Sequence, residues 1–230
     1  MKILIVYPNL PMMITPASFV AICTSLIKKM GCEVEMFETT LYTEDENQGM
    51  LYKSKLGGGR SYSVNQLGFE LKTTSSVIPD LIKKVKKFEP DLLLFSTVED
   101  TFKDTNLMLE SLKDLNIPHI VGGVFPINSP EVCLASPNID TICRYEGELV
   151  LRDVINDFKK GEDWKRTKGL WYKKNGNIIK NTLQPLCDIN DIVPDYSLYA
   201  PERFNRPIGG KIRRTVQFET YRGCPYSCSF

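Results

Sequence analysis

Near the end of the chain, Cys224 and Cys228 stand four residues apart within Glu219-Thr220-Tyr221-Arg222-Gly223-Cys224-Pro225-Tyr226-Ser227-Cys228-Ser229-Phe230. Two thiolates on one short loop can chelate a soft metal centre. Gly223 would let the backbone approach closely, and Pro225 would fix the turn so that amides point at the sulfurs. Two cysteines alone are a weak motif, and a structural pair is the commoner case. A zinc site would need two further ligands, which nothing nearby supplies. Cys23, Cys32, Cys133, Cys143 and Cys187 lie far apart in apolar segments. In a reducing compartment they read as small buried hydrophobes.

A second group of candidates sits at the ends of apolar runs: Asn9 and Pro11, then Ser96, Thr97 and Val98, then Gly122 and Gly123, then Tyr145, Glu146 and Gly147. Gly122-Gly123 has no side chain to obstruct a large planar ligand, and Ser96 and Thr97 offer hydroxyls where a sheet would meet its ligand loop. A helix starting near Gly147 would present free amide donors, although Glu146 and Glu148 disfavour a phosphate there. The plainer reading of the glycine pair is a tight turn after a strand. Gly57-Gly58-Gly59 lacks the lysine and the spacing of a phosphate loop.

The elements that would position these residues alternate between short β-branched runs and amphipathic helices, the pattern of a parallel α/β sheet. Strands are expected at Lys2 to Tyr7, Glu33 to Phe37, Asp91 to Ser96, Pro118 to Val121 and Ile139 to Arg144. Helices are expected at Ala17 to Lys29, Val77 to Phe88, about Thr101 to Leu115 and about Gly147 to Lys159. This predicts a flavodoxin-like, doubly wound, five-stranded parallel sheet in the order 2-1-3-4-5, with ligand loops at Asn9 to Thr15, Thr97 to Asp100, Gly122 to Pro126 and Arg144 to Glu148. Leu41 to Ser76 breaks the alternation and reads as a rim insertion with room for one short helix. Gly169 to Lys180 reads as a hairpin about Asn175-Gly176. Leu183 to Pro207 is expected to be an irregular, proline-rich connector, and Arg214 to Thr220 a strand running into the cysteine turn. The domains expected are therefore 1–160, a hairpin and linker over 161–213, and a new domain beginning at 214–230.

Lys+Arg number 29 against 28 Asp+Glu, so the formal charge of +1 gives no electrostatic reason to expect a nucleic acid or an anionic membrane as partner. No apolar run approaches the roughly 18–20 residues that a bilayer requires, and the start is too short for a signal peptide. The expected compartment is the cytoplasm.

The order strand, Arg-Gly-Cys-Pro-Tyr, Cys, Ser, aromatic resembles the radical SAM family, whose motif is a cysteine, three residues, a cysteine, two residues and a third cysteine. That third cysteine would be the residue after Phe230, so the resemblance implies a cut inside the motif and little cluster binding by these residues alone. Upstream, Ile3 to Asn9, Lys87-Phe88-Glu89-Pro90-Asp91-Leu92, Ile117-Pro118-His119-Ile120-Val121-Gly122-Gly123 and Arg144-Tyr145-Glu146-Gly147-Glu148 resemble the cobalamin-binding domain that many radical SAM proteins carry before their catalytic barrel.

The resemblance implies a cobalamin (B12)-binding domain followed by the first strand of a radical SAM barrel. It implies cobalamin contacts from the loop residues named above, and Cys224 and Cys228 as ligands of a [4Fe–4S] cluster. Phe230 would lie near the adenine of S-adenosylmethionine. The implied reaction of the longer protein is methyl transfer to an unactivated carbon of an unidentified small molecule. Two alternatives stay open: a non-catalytic cobalamin carrier or scaffold, and a flavodoxin-like domain for another ligand such as a flavin. Cobalamin domains of mutases and of methionine synthase carry Asp-x-His-x-x-Gly after the first strand. Here that loop is Asn9-Leu10-Pro11-Met12-Met13-Ile14-Thr15, and the only histidine is His119. Cobalamin is therefore expected without a histidine lower ligand, the lower face being water, an apolar side chain or empty.

Overall fold

The computed structural model describes residues 1–45, 63–217, 219–223 and 226–227. Among them a seven-stranded sheet is built from β1 (Lys2–Tyr7), β2 (Glu33–Glu38), β3 (Leu92–Ser96), β4 (His119–Gly122), β5 (Thr141–Cys143), β6 (Leu170–Lys174) and β7 (Asn177–Lys180). Its order is β2-β1-β3-β4-β5-β6-β7, and the first five strands are parallel. This is the expected flavodoxin-like order. The chain reverses direction across the sheet between β1 and β3, where ligand loops of such sheets gather.

The apolar runs are explained by burial on both faces. Leu4, Val6, Leu93, Phe95 and Val121 face one way, onto α3 (Val77–Phe88) and α4 (Phe102–Leu112). Ile3, Ile5, Leu92 and Ile120 face the other way, onto α1 (Ser18–Lys29) and α7 (Glu148–Lys160). Alternate residues of each strand thus feed opposite core layers, as the pleat requires. No helix among the described residues is long and apolar enough to cross a membrane.

Part of the rim insertion is described. Ser63 and Gln66 form a reciprocal capping box that starts the single-turn helix α2 (Val64–Leu67). Val64, Leu67 and Phe69 join Met12 and Ile14 in a third apolar cluster, so this segment props up the loop after β1. Gly57-Gly58-Gly59 lies outside the described residues.

Three expectations are corrected. The hairpin turns at Asn175 and Gly176, both with positive φ, as an Asn-Gly turn requires. It is not part of a linker, however: β6 pairs antiparallel with β5 through Cys143↔Leu170 and Thr141↔Tyr172, and Leu170 is fully buried. Within the proline-rich stretch Leu183, Leu186 and Val193 stay exposed, but the part from Asp195 on is packed on the domain. Asp195 N–H donates to Ala21 O (2.9 Å), Ala17 N–H donates to the Tyr199 hydroxyl (3.0 Å), and Lys28 pairs with Asp195 (2.8 Å). Finally, the strand expected over Arg214 to Thr220 lies earlier. β9 (Lys211–Arg214) folds back on β8 (Asn205–Ile208) through Gly209-Gly210, and 215–217 and 219–220 lie outside any strand. A glycine pair with a four-residue apolar-polar run on each side closes locally before a distant strand can compete.

His119 begins β4, at the sheet edge opposite the ligand loops, and its Nε2 accepts a hydrogen bond from Asp140 N–H (3.2 Å). Burial lowers its pKa below the usual 6.5, partly opposed by Asp140. The unfolded chain therefore binds this proton more tightly, so His119 contributes full stability above pH 6.5 and loses it as the pH falls from there toward the folded pKa. His119→Asn should flatten the stability–pH profile below pH 6.5, measured by urea unfolding across that range. An unchanged slope would show that His119 is not the group responsible.

Candidate functional site

The loop after β1 is organised by Asn9. Its backbone N–H donates to Thr39 Oγ1 (2.8 Å), its amide donates to Met13 O (3.1 Å) and Thr40 Oγ1 (2.9 Å), and its Oδ1 accepts from Leu10 N–H (2.9 Å). Asn9 is thus a scaffold for the loop, and its polar atoms are already engaged. Met12 and Ile14 turn inward into the third cluster, Pro11 is half-buried, and Leu10 and Met13 stay exposed at 39% and 38%.

The loop after β3 behaves similarly. Thr97 is buried, and its hydroxyl lies among Val98 O (3.1 Å), Thr101 Oγ1 (3.2 Å) and Thr105 Oγ1 (3.0 Å), which removes it as a ligand donor. Ser96 is partly exposed, and Val98 points outward. Gly123 closes on this loop. With φ 101° and ψ −178° it occupies a region essentially reserved for glycine. A Cβ there would stand 2.5 Å from Thr97 O, 2.7 Å from Thr97 N and 3.0 Å from Ser96 Oγ. The protein itself therefore uses the space that the sequence suggested was kept for a ligand. Gly122 differs, since a Cβ there would meet only ordinary contacts at 3.7–3.8 Å. The segment after Gly123, expected as a loop to Pro126, is α5 (Val124–Asn128), followed by α6 (Pro130–Ala135) with proline in its first turn.

The loop after β5 carries Arg144, Tyr145, Glu146 and Gly147. Arg144 donates to Pro126 O (2.7 Å), satisfying a carbonyl of α5, and lies over the Trp171 ring at 4.5 Å. Tyr145 is exposed, and Gly147 has open space around it. Glu146 is engaged by the protein, accepting from Cys187 N–H (2.7 Å) and pairing with Arg222 (3.4 Å).

The segments that follow the carboxyl ends of four adjacent strands therefore each expose a large apolar side chain: Leu10 and Met13, Val98, Val124 at the start of α5, and Tyr145. Val124, at 59% exposure, lies in the expected ligand loop Gly122 to Pro126 but, like Leu10 and Met13, is not among the contacts expected from the sequence. Exposed apolar groups gathered at one edge of a domain mark a binding surface.

Burial pushes Cys23 up to about 12 and Cys133 and Cys143 up to about 11, which suppresses the thiolate. Cys224, Cys228 and Phe230 lie outside the described residues. Among the described residues no group of three or more His, Cys, Asp and Glu side chains could hold a metal ion.

The fold is that of a flavodoxin-like α/β domain, and its candidate site residues lie at the carboxyl edge of the sheet. A family model described as "B12 binding domain" matches residues 40–155, just over half of the chain. The chain belongs to the B12-binding domain family. It is 29% identical over 159 residues to an uncharacterised methyltransferase of Pyrococcus horikoshii, a match covering 66% of this chain and 33% of the relative. The chain thus spans about a third of that relative's length.

Among solved structures it is similar to the cobalamin-dependent S-adenosylmethionine radical enzyme OxsB with aqua-cobalamin and S-adenosylmethionine bound. There the TM-score is 0.54 at 19% identity, covering 80% of this chain and 22% of that one. It is also similar to the radical S-adenosylmethionine methyltransferase TsrM from Kitasatospora setae with cobalamin and a [4Fe–4S] cluster bound. That TM-score is 0.55 at 14% identity, covering 93% of this chain and 31% of that one. At these identities the likeness establishes the fold.

Proposed function

We propose that this chain binds cobalamin at the carboxyl edge of its sheet and serves as the cobalamin-binding part of a B12-dependent radical SAM methyltransferase. The carrying observation is the set Leu10, Met13, Val98, Val124 and Tyr145, exposed on the segments that follow successive strands at that edge. These residues fit a corrin, which needs apolar surface against its ring and backbone or polar groups at its amide-bearing rim. Gly122 and the open space at Gly147 leave the backbone approachable there. No histidine stands on these loops, so the chain would hold the corrin without an imidazole below the cobalt. When bound, methylcobalamin would supply the methyl group for transfer. Cys224 and Cys228 are proposed as cluster ligands and Phe230 as a neighbour of S-adenosylmethionine, on the strength of the Arg-Gly-Cys-Pro-Tyr turn. The names of the methyltransferase relative and of the two radical enzymes support the same reading.

The test is to incubate the purified chain with hydroxocobalamin, remove free ligand and record the visible spectrum. Stoichiometric corrin absorbance should remain, and after reduction the paramagnetic signal of cobalt(II) should lack coupling to a histidine nitrogen. Leu10→Asp or Val124→Asp should lower retention roughly tenfold, because each places a charge on the apolar face. No retained corrin, or retention of a flavin instead, would overturn the reading.

A further inference from the structure

Arg222 of the cysteine-bearing segment reaches back to Glu148, 74 positions earlier in the chain. Its Nη2 donates to Glu148 Oε1 (2.6 Å), its Nη1 lies 3.4 Å from Glu146 Oε1, and its Nε donates to Glu219 Oε2 (2.8 Å). The arginine, Glu146 and Glu148 side chains are only 21%, 20% and 14% exposed. The second oxygen of Glu146 is held by Cys187 N–H, so the seat is fixed from both sides. From the sequence, Glu146 is expected at the cofactor and Glu148 has no role, except that both disfavour a phosphate. Glu148, in the first turn of α7, is favoured by the helix dipole, and the cation that completes it comes from the chain itself.

We propose that Arg222 is a positioning residue whose guanidinium, seated between Glu146 and Glu148, registers the cysteine-bearing turn against the rim where Tyr145 stands. Cys224 follows two residues later in the sequence, so a planar fork gripping two carboxylates holds the chain just ahead of it. The importance of the turn rests on the functional reading above, whereas the docking rests on the contacts alone. Glu146 is accordingly assigned to the chain's own arginine and not to the cofactor.

Trypsin provides the test, because it cuts after Arg222 only when that side chain is free to enter the protease. Initial cleavage rates after Arg222 are normalised to cleavage after the exposed Arg214 in the same sample. The Glu146→Gln/Glu148→Gln variant should be cut after residue 222 roughly tenfold faster than the unaltered chain. Added salt should speed cleavage of the unaltered chain more than that of the variant, in which only the Glu219 pair is left for salt to screen. Arg222→Lys, which keeps a cleavable cation but not the fork, should fall between the two. Equal rates in the unaltered chain and the double variant, or salt-independent cleavage of both, would overturn the proposal. Corrin retention measured in parallel separates the two readings: an unaltered chain without corrin refutes the functional proposal, and the ligand-free cleavage rates still decide the clamp.

Discussion

Gly123→Ala should destabilise the domain by about 3 kcal/mol or more, whereas Gly122→Ala, one residue earlier, should stay within about 1 kcal/mol of the unaltered chain. At Gly123 the added carbon would lie 2.5 Å and 2.7 Å from the carbonyl oxygen and amide nitrogen of Thr97. Both are backbone atoms. Thr97 cannot retreat, because its N–H donates to Gly122 O (2.9 Å) and its carbonyl accepts from Phe125 N–H (3.3 Å). The φ of 101° adds strain for any L side chain. At Gly122 the nearest groups are Phe95 O at 3.7 Å and Cys143 Cβ at 3.8 Å, so a methyl group fits. Guanidinium unfolding of both variants checks the contrast. A Gly123→Ala protein as stable as Gly122→Ala would refute the close approach of the two loops. Corrin retention should follow the same order, since moving the loop after β4 also moves Val124.

The difference between the two glycines shows where the sequence stopped being readable. The doublet itself was visible, but the sign of φ at each position is set by the loop across from it. The parallel core was legible because strands buried on both faces need unbroken apolar runs such as Leu92-Leu93-Leu94-Phe95, and right-handed crossovers leave few strand orders. The hairpin was legible from Asn175-Gly176, but its partner was not, because Leu170 and Tyr172 alternate identically whether they meet β5 or a separate domain. The segment from 195 to 206 hides its burial altogether. It has no period, and Tyr199 and Arg203 are anchored by residues well over a hundred positions away. Among the candidate site residues, Asn9, Thr97 and Glu146 turned out to be engaged by the protein. A side chain able to hold a ligand can equally hold a loop, and composition does not distinguish the two.

Arg203→Met should cost about 3–5 kcal/mol, the range for removing one partner of a buried ion pair. Arg203 is buried and pairs with Glu38, whose side chain is 16% exposed, at the end of β2. Its Nε donates to Ile14 O (3.0 Å), and its guanidinium lies 5.3 Å from the centre of the Tyr199 ring. Burial and the neighbouring Arg206 lower its pKa to about 10, still well above neutral, so the group stays charged and needs its carboxylate. In the single variant Glu38 would keep its charge and one hydrogen bond, from the Thr40 hydroxyl (2.9 Å), without a cation. Arg203→Met/Glu38→Gln should therefore be more stable than Arg203→Met alone, a non-additivity that a double-mutant cycle measures directly. Strict additivity would mean that the two groups do not interact.

The same cycle carries a functional consequence. Ile14 lies in the loop that exposes Leu10 and Met13, so releasing its carbonyl loosens the proposed corrin face from behind. Corrin retention should fall in Arg203→Met and remain low in the double variant, because the Glu38→Gln change relieves the stranded charge but returns no donor to Ile14. A double variant that regained full retention would place the role of Arg203 in charge balance alone, and not in bracing the loop.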